Sequence, residues 1–258
     1  MGQTLIKNKQ IAGGLDGWIA ITDFGNYTFT LGTADDPSFP IEWDDGMNLL
    51  SYISVGMKVK WTQNGTIRYG FITYADANGG VTDTEMVIYG GTDYNVENTT
   101  TYPVSNIFIS REKSPYGFPM SPDKWSVTYS STSNTTLNNS TVFAASPFSI
   151  SVPIGDFSVS YLISLIGIGS GGNTTWVKSA LGKTTTPLAG SQDFKDATDG
   201  AASVTKCAGI FKGSALVINT AKTSVYILTA YANSNSNVSL NPYYEMFPTT
   251  IRATCAYL

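Results

Sequence analysis

The chain has 258 residues, no histidine and a formal net charge of −4; Asp, Glu, Lys and Arg make up only 13% of it, about half the usual share. That length supports a sizeable hydrophobic core, and the charge leaves no basic surface for nucleic acid. The missing histidine removes the commonest general base and zinc ligand, and with them Ser-His and Cys-His catalysis.

Polarity rests instead on Thr, Ser, Asn and Gly, which favour strands and turns over helices. The start, MGQTLIKNKQ, is polar throughout and lacks the apolar core of a secretory signal. A protein made in the cytoplasm is expected, so the N-x-S/T sequons from Asn26 to Asn237 read as by-products of composition. Alternating or β-branched runs then follow at Trp18 to Leu31, Met57 to Trp61, Thr66 to Tyr74, Glu85 to Tyr89 and Asn106 to Ser110. Between the first two lies an acidic cluster, Asp35, Asp36, Glu42, Asp44 and Asp45, around PSFPIEW. It reads as a charged loop, with a calcium site as the alternative; it lacks the spacing of an EF-hand. Asn48 to Ser54 is a candidate helical piece. Asn64-Gly65 between KVKW and IRYGFITY predicts a hairpin whose type I′ turn needs positive φ at both residues.

At KSPYGFPMSPD, residues 113–123, three prolines and a glycine deny the backbone both helix and central strand. The chain is expected to divide there, into an N-terminal segment (1–13), a small N-terminal β-barrel or sandwich (14–123) and a C-terminal β-sandwich (124–258). The fold class is thus all-β, two antiparallel domains with very little helix. Further strands are predicted at Trp125 to Tyr129, Asp156 to Ile166, Ala215 to Asn219, Ser224 to Ala230 and Thr250 to Tyr257, with a solvated Ser/Thr/Asn tract at Ser130 to Thr141. Cys207 and Cys255, in apolar surroundings, read as buried thiols, with a disulfide between them as the alternative.

Gly167-x-Gly169-x-x-Gly172 has the form of a dinucleotide fingerprint. The fingerprint needs a helix of several turns after the glycines. Only a short turn around Trp176 to Leu181 is available before Gly182, the Thr184 to Thr186 run and Pro187, so the glycines read as a turn closing a long strand. No cofactor and no metal are expected. The longest apolar run, Tyr161 to Ile168, is too short for a membrane helix.

The run Val55-Gly56-Met57-Lys58-Val59-Lys60 with Thr62-Gln63, then Gly90-Gly91-Thr92-Asp93-Tyr94, then Ser114-Pro115-Tyr116-Gly117-Phe118-Pro119, resembles a module of tailed-bacteriophage structural proteins. In that module a TQ strand, a GGTDY turn and a PxGFP exit occur in this order. The resemblance covers residues 14 to 123. The closing IRATCAYL, more loosely, is similar to the last strand of phage fibre heads, and TLIKNKQI to virion-attachment segments. It implies a non-enzymatic virion surface protein made in the bacterial cytoplasm: a tail, fibre or receptor-binding component, typically a homotrimer, held to other virion proteins through its N-terminus. A purely structural capsid or neck decoration protein is the alternative. On this reading Leu5, Ile6 and Ile11 are candidate anchors, and Trp176, Tyr243 and Tyr244 are candidate stacking surfaces for a bacterial cell-wall glycan.

Overall fold

A computed structural model of the chain describes residues 16–20, 28–29, 38–43, 50, 52–77, 84–94, 101–102, 104–133, 137, 142–169, 174–185, 194–200, 206–233, 238–242 and 247–258. Most of them lie in antiparallel strands, as the composition predicts. Seven strands form the first sheet: β1 (Ile19–Ala20), β2 (Thr28–Phe29), β3 (Ser38–Trp43), β4 (Lys58–Gln63), β5 (Thr66–Ala77), β6 (Thr84–Tyr89) and β7 (Ser105–Ser110), in the order β1-β7-β4-β5-β6-β3-β2. A 3-10 turn, Pro122–Trp125, leads into β8 (Ser126–Ser131). After it come β9 (Ala144–Val152), β10 (Gly155–Gly169), β11 (Thr174–Gly182), β12 (Phe194–Gly200), β13 (Lys206–Asn219), β14 (Thr223–Asn233), β15 (Val238–Pro242) and β16 (Thr249–Cys255). They form a sheet ordered β13-β10-β16-β8, with β15 also on β10, and a sheet ordered β12-β11-β14-β9.

The local chemistry explains several of these elements. Asn64 and Gly65 have φ of 51° and 69°, the pair of positive values a type I′ turn requires, and they join β4 to β5 in the register Gln63↔Thr66. Pro40 sits in β3, which also carries Glu42, so the PSFPIEW segment read as a charged loop is a strand. Its proline is tolerated because β2 pairs only with Ile41 and Glu42, leaving β3 without a described partner on that side at residue 40. Asp35, Asp36, Asp44 and Asp45 lie outside the described residues.

The second and third sheets face each other across a core. Phe157, Val159, Tyr161, Ile163 and Leu165 alternate inward from β10, against Phe148, Ile150 and Val152 of β9 and Val225 and Ile227 of β14. Tyr161 and Ser179 hydroxyls meet at 2.7 Å across this interior, which satisfies both buried groups. The first sheet is buried on both faces. Val59, Trp61, Ile72, Met86, Ile88, Ile107 and Ile109 form one cluster, while Phe71 and Tyr89, on the other face, join the core of the two later sheets.

The strand register also decides the cysteine question. Cys255 pairs with Phe157 and Cys207 with Gly167, both partners being on β10. Ten residues of strand separate them by roughly 30 Å, whereas a disulfide spans Cα atoms at most about 7 Å apart. The two cannot be bonded, and Cys255 is a free buried thiol.

Burial pushes that thiol's pKa up to about 12. An unfolded thiol ionises near 8.5, so the folded chain holds a proton there that the unfolded chain has lost. The stability contributed by the protonated thiol is complete below about pH 8.5 and declines as pH rises towards 12, at up to about 1.4 kcal/mol per unit. Urea titrations at stepped pH are expected to show this decline from pH 9, and Cys255→Ala is expected to remove its earliest part.

Candidate functional site

Four corrections concern the residues that sequence reasoning put forward. The segment around Trp176, expected as a helical turn, is strand β11; Trp176 has Ala232 of β14 as its Cα partner, and its side chain lies outside the described residues. Gly167 and Gly169 do not form the turn after β10 but lie within it, Gly167 between Cys207 of β13 and Leu240 of β15. The next element is a strand, so the glycines have no helix to offer a pyrophosphate. Of the candidate helix Asn48 to Ser54, residues 50 and 52 lie in turns and residues 53–54 have no regular structure. Tyr243 and Tyr244, and the candidate anchors Leu5, Ile6 and Ile11, lie outside the described residues. Of the tract Ser130 to Thr141, expected as solvated, Leu137 is buried in the main core.

What the structure does bring together is the set of motifs on which the resemblance rests. Strand alternation sends Val59 and Trp61 of β4 into one core and Lys58 and Lys60 to the opposite face. On that face Lys58 pairs across to Phe71, and Phe71 to Tyr89, while Lys60 lies between Tyr69 and Phe108. Onto this row settle Phe118 and Trp125 from the segment between the sheets. Their rings stack at 5.1 Å and 3°, and Phe71 meets Trp125 edge-on at 4.8 Å and Phe118 at 5.1 Å. Tyr89 then meets Phe157 of β10 at 5.2 Å, which carries the aromatic chain into the second sheet. Each such pair adds about 0.5–1.5 kcal/mol beyond the area it buries.

The lysines are covered by this cluster. Lys58 is 5% exposed, with Nζ 5.3 Å from the Phe71 centroid and 5.7 Å from that of Phe118. Burial holds its pKa below the usual lysine value, and the Lys113 charge adds to this. Nζ of Lys60 sits 4.6 Å from both the Trp18 and the Phe108 centroids; burial lowers its pKa too, against the opposing pull of Asp16 at 3.9 Å. Ring faces attract a desolvated cation, so the aromatic cover compensates in part for the lost water. The Tyr89 hydroxyl is fully buried without a hydrogen bond among the described residues, and burial raises its pKa far above the usual phenol value.

The remaining motif residues hold the cluster in place. Gly91 (φ 69°) brings the GGTDY turn against the backbone of Lys124, where Thr92 N donates to Lys124 O at 3.1 Å, and Asp93 pairs with Lys124 Nζ at 2.6 Å. In PYGFP, Pro115 and Phe118 are buried, Gly117 supplies φ 82°, and Tyr116 between them is 83% exposed. Trp18 Nε1 donates to Tyr116 O at 2.9 Å and Trp125 Nε1 to Pro119 O at 2.6 Å. From the other side, Arg252 of β16 donates to Asp123 at 2.7 Å and to the Ser126 hydroxyl at 3.0 Å. Its acid–base contacts among the described residues, Asp93 with Lys124, Asp123 with Arg252 and Asp16 with Lys60, are ion pairs at its edges. Its chemistry is that of a joint that fixes three sheets together.

No protein-family model matches the chain, and no curated protein matches it. Among solved structures it is similar to the infectious bursal disease virus VP2 subviral particle at 11% identity, over 89% of this chain and 70% of that one, with a TM-score of 0.32. The T13 particle of the same virus aligns at 11% identity over 84% of this chain and 53% of that one, with a TM-score of 0.29. The CBM22 tandem domain of Paenibacillus barcinonensis Xyn10C aligns at 10% identity over 94% of both chains, with a TM-score of 0.24. The chain spans about half the length of the T13 particle chain, and TM-scores of this size carry no argument about function. Among the described residues no helix is long and apolar enough to cross a membrane.

The joint makes Gly91 a sensitive position. A Cβ there would stand 2.3 Å from Lys124 O, at a positive φ, whereas one at Gly65 meets nothing within 4 Å. Gly91→Ala is expected to cost about 2–4 kcal/mol and Gly65→Ala only about 1 kcal/mol, both read from urea denaturation midpoints.

Proposed function

We propose that this chain is a structural protein of a bacteriophage virion, displayed on the particle surface as a trimeric tail or fibre component that contributes to attachment to a host-surface glycan. The observation that carries this reading is the convergence of the KVKWTQ strand, the GGTDY turn and the PYGFP exit on one aromatic joint. The motif residues that resemble phage structural modules stack on and hydrogen-bond to one another, which suits a rigid displayed body. The role is non-catalytic, and purified protein is expected to release no reducing sugar from bacterial envelope.

Self-association has its own support. Strand β13 ends its sheet among the described strands, and Leu216 and Ile218 are 57% and 62% exposed on one side of it, with Ile210 also exposed. Apolar side chains alternating outward from a terminal strand suit burial against another copy. Light scattering of the purified chain is expected to give three times the monomer mass, and Leu216→Lys with Ile218→Lys is expected to give one; a wild-type monomer at micromolar concentration would remove the trimer.

Immunogold labelling of whole particles tests the location. Label on the tail or its fibres is the expected result. Label spread over the capsid replaces this reading with the decoration role, and particles without label overturn the virion assignment.

A further inference from the structure

The ion pair of Lys60 with Asp16 has surroundings unlike those of a surface pair. Nζ of Lys60 lies 3.9 Å from Oδ2 of Asp16, with the Trp18 and Phe108 ring centroids each 4.6 Å from the same nitrogen. The lysine side chain is only 18% exposed, whereas both members of the Asp93–Lys124 pair are more than 40% exposed. Burial favours the neutral amine, which is the nucleophilic form of a lysine.

The carboxyl is held from its other side. Oδ1 of Asp16 accepts from Trp18 N at 3.2 Å, and the Asp16 carbonyl accepts from Tyr116 N at 3.0 Å, which fixes both the group and its backbone. The Trp18 N–H thus points at the oxygen on which charge develops when a nucleophile adds to Cγ, while Oδ2, facing the amine, is the oxygen that departs. Cγ itself lies within a rotation of the lysine's flexible stem. A second carboxyl side chain stands alongside. Gly17 has φ 77°, and a Cβ there would meet Cγ of Glu112 at 3.0 Å, so Glu112 lies against the residue next to Asp16. Its carboxylate can take the ammonium proton and return it to the departing oxygen.

We propose that Lys60 and Asp16 condense into an intramolecular isopeptide bond, with Glu112 as the proton carrier. The amine adds to Cγ of Asp16, the new C–N bond forms, the Cγ–Oδ2 bond breaks and one water leaves; no oxidant or cofactor takes part. The step exchanges two charges for one neutral amide beside the rings, where a charge is costly. It ties the chain at residue 16 to the middle of β4, whether or not the protein belongs to a virion.

Mass spectrometry of the purified full chain tests the bond. The wild type is expected to be lighter than its sequence by one water, and chymotryptic digestion to give a branched peptide joining the fragment that ends at Trp18 to the one that ends at Trp61. Asp16→Ala and Lys60→Arg are each expected to have the full mass of their sequence. Glu112→Gln is expected to link roughly a hundredfold more slowly or worse, so that newly made chain stays unlinked. Asp16-Gly17 can also lose water by closing a succinimide on its own backbone, and the Lys60→Arg mass separates the two reactions. A wild type of full mass, or a water loss that persists in Lys60→Arg with no branched peptide in the wild type, overturns the bond. A Glu112→Gln chain that links as fast as the wild type overturns the carrier role.

Discussion

The stack of Phe118 on Trp125, closed edge-on by Phe71, is the contact on which the rest of the structure depends. It joins a sheet built from residues 19–110 to two sheets built from residues 126–255, with Phe157 of β10 reached through Tyr89. Without it, Phe71 and Tyr89 would face water on a sheet whose other side already has its own core. The connecting segment is thus not a flexible tether. Its prolines deny it strand and helix, and its Phe and Trp make it the filling between layers.

Several otherwise costly features follow from this arrangement. Lys58 and Lys60 alternate onto the joint face because Val59 and Trp61 occupy the other, and their charges survive burial beneath ring faces. Gly91 is needed because the Lys124 backbone approaches too closely for a side chain, and Gly155 because a Cβ there would strike Thr73 of β5 at 2.6 Å. That second contact lies where the connection from β9 leads into β10, so the first sheet is held to the sandwich at two places. The outer surface is wetted mainly by hydroxyls and amides, which interact little with salt. A rigid body of this kind suits the proposed display on a particle.

Much of the fold was legible in the sequence, for reasons that individual residues show. Asn64-Gly65 marked its hairpin because few residues accept two positive φ values in succession. The start of β10 was visible as Phe157, Val159, Tyr161 and Ile163 alternating with polar residues. Strand β9 was missed because Pro147 and three serines mask an alternation that buries Phe148, Ile150 and Val152. Strand β12, FKDATDG, has little strand propensity of its own and is a strand through its pairing with β11. WVKSAL in β11 suits a helix equally well, and cross-strand partners on both sides decide against it. Of the site, the three motifs were legible but not their meeting place, since that depends on which face of the first sheet the Phe118 and Trp125 rings cover.

The central claim is that the aromatic joint makes the three sheets one cooperative unit. Equilibrium urea unfolding followed at once by tryptophan fluorescence and far-ultraviolet circular dichroism tests it most directly, comparing the wild type with Trp125→Ala. The wild type should unfold in a single transition with coincident midpoints, and the variant, losing about 3–5 kcal/mol, in two separated ones. Two transitions in the wild type, or a variant that still unfolds as one unit at an unchanged midpoint, would contradict the account.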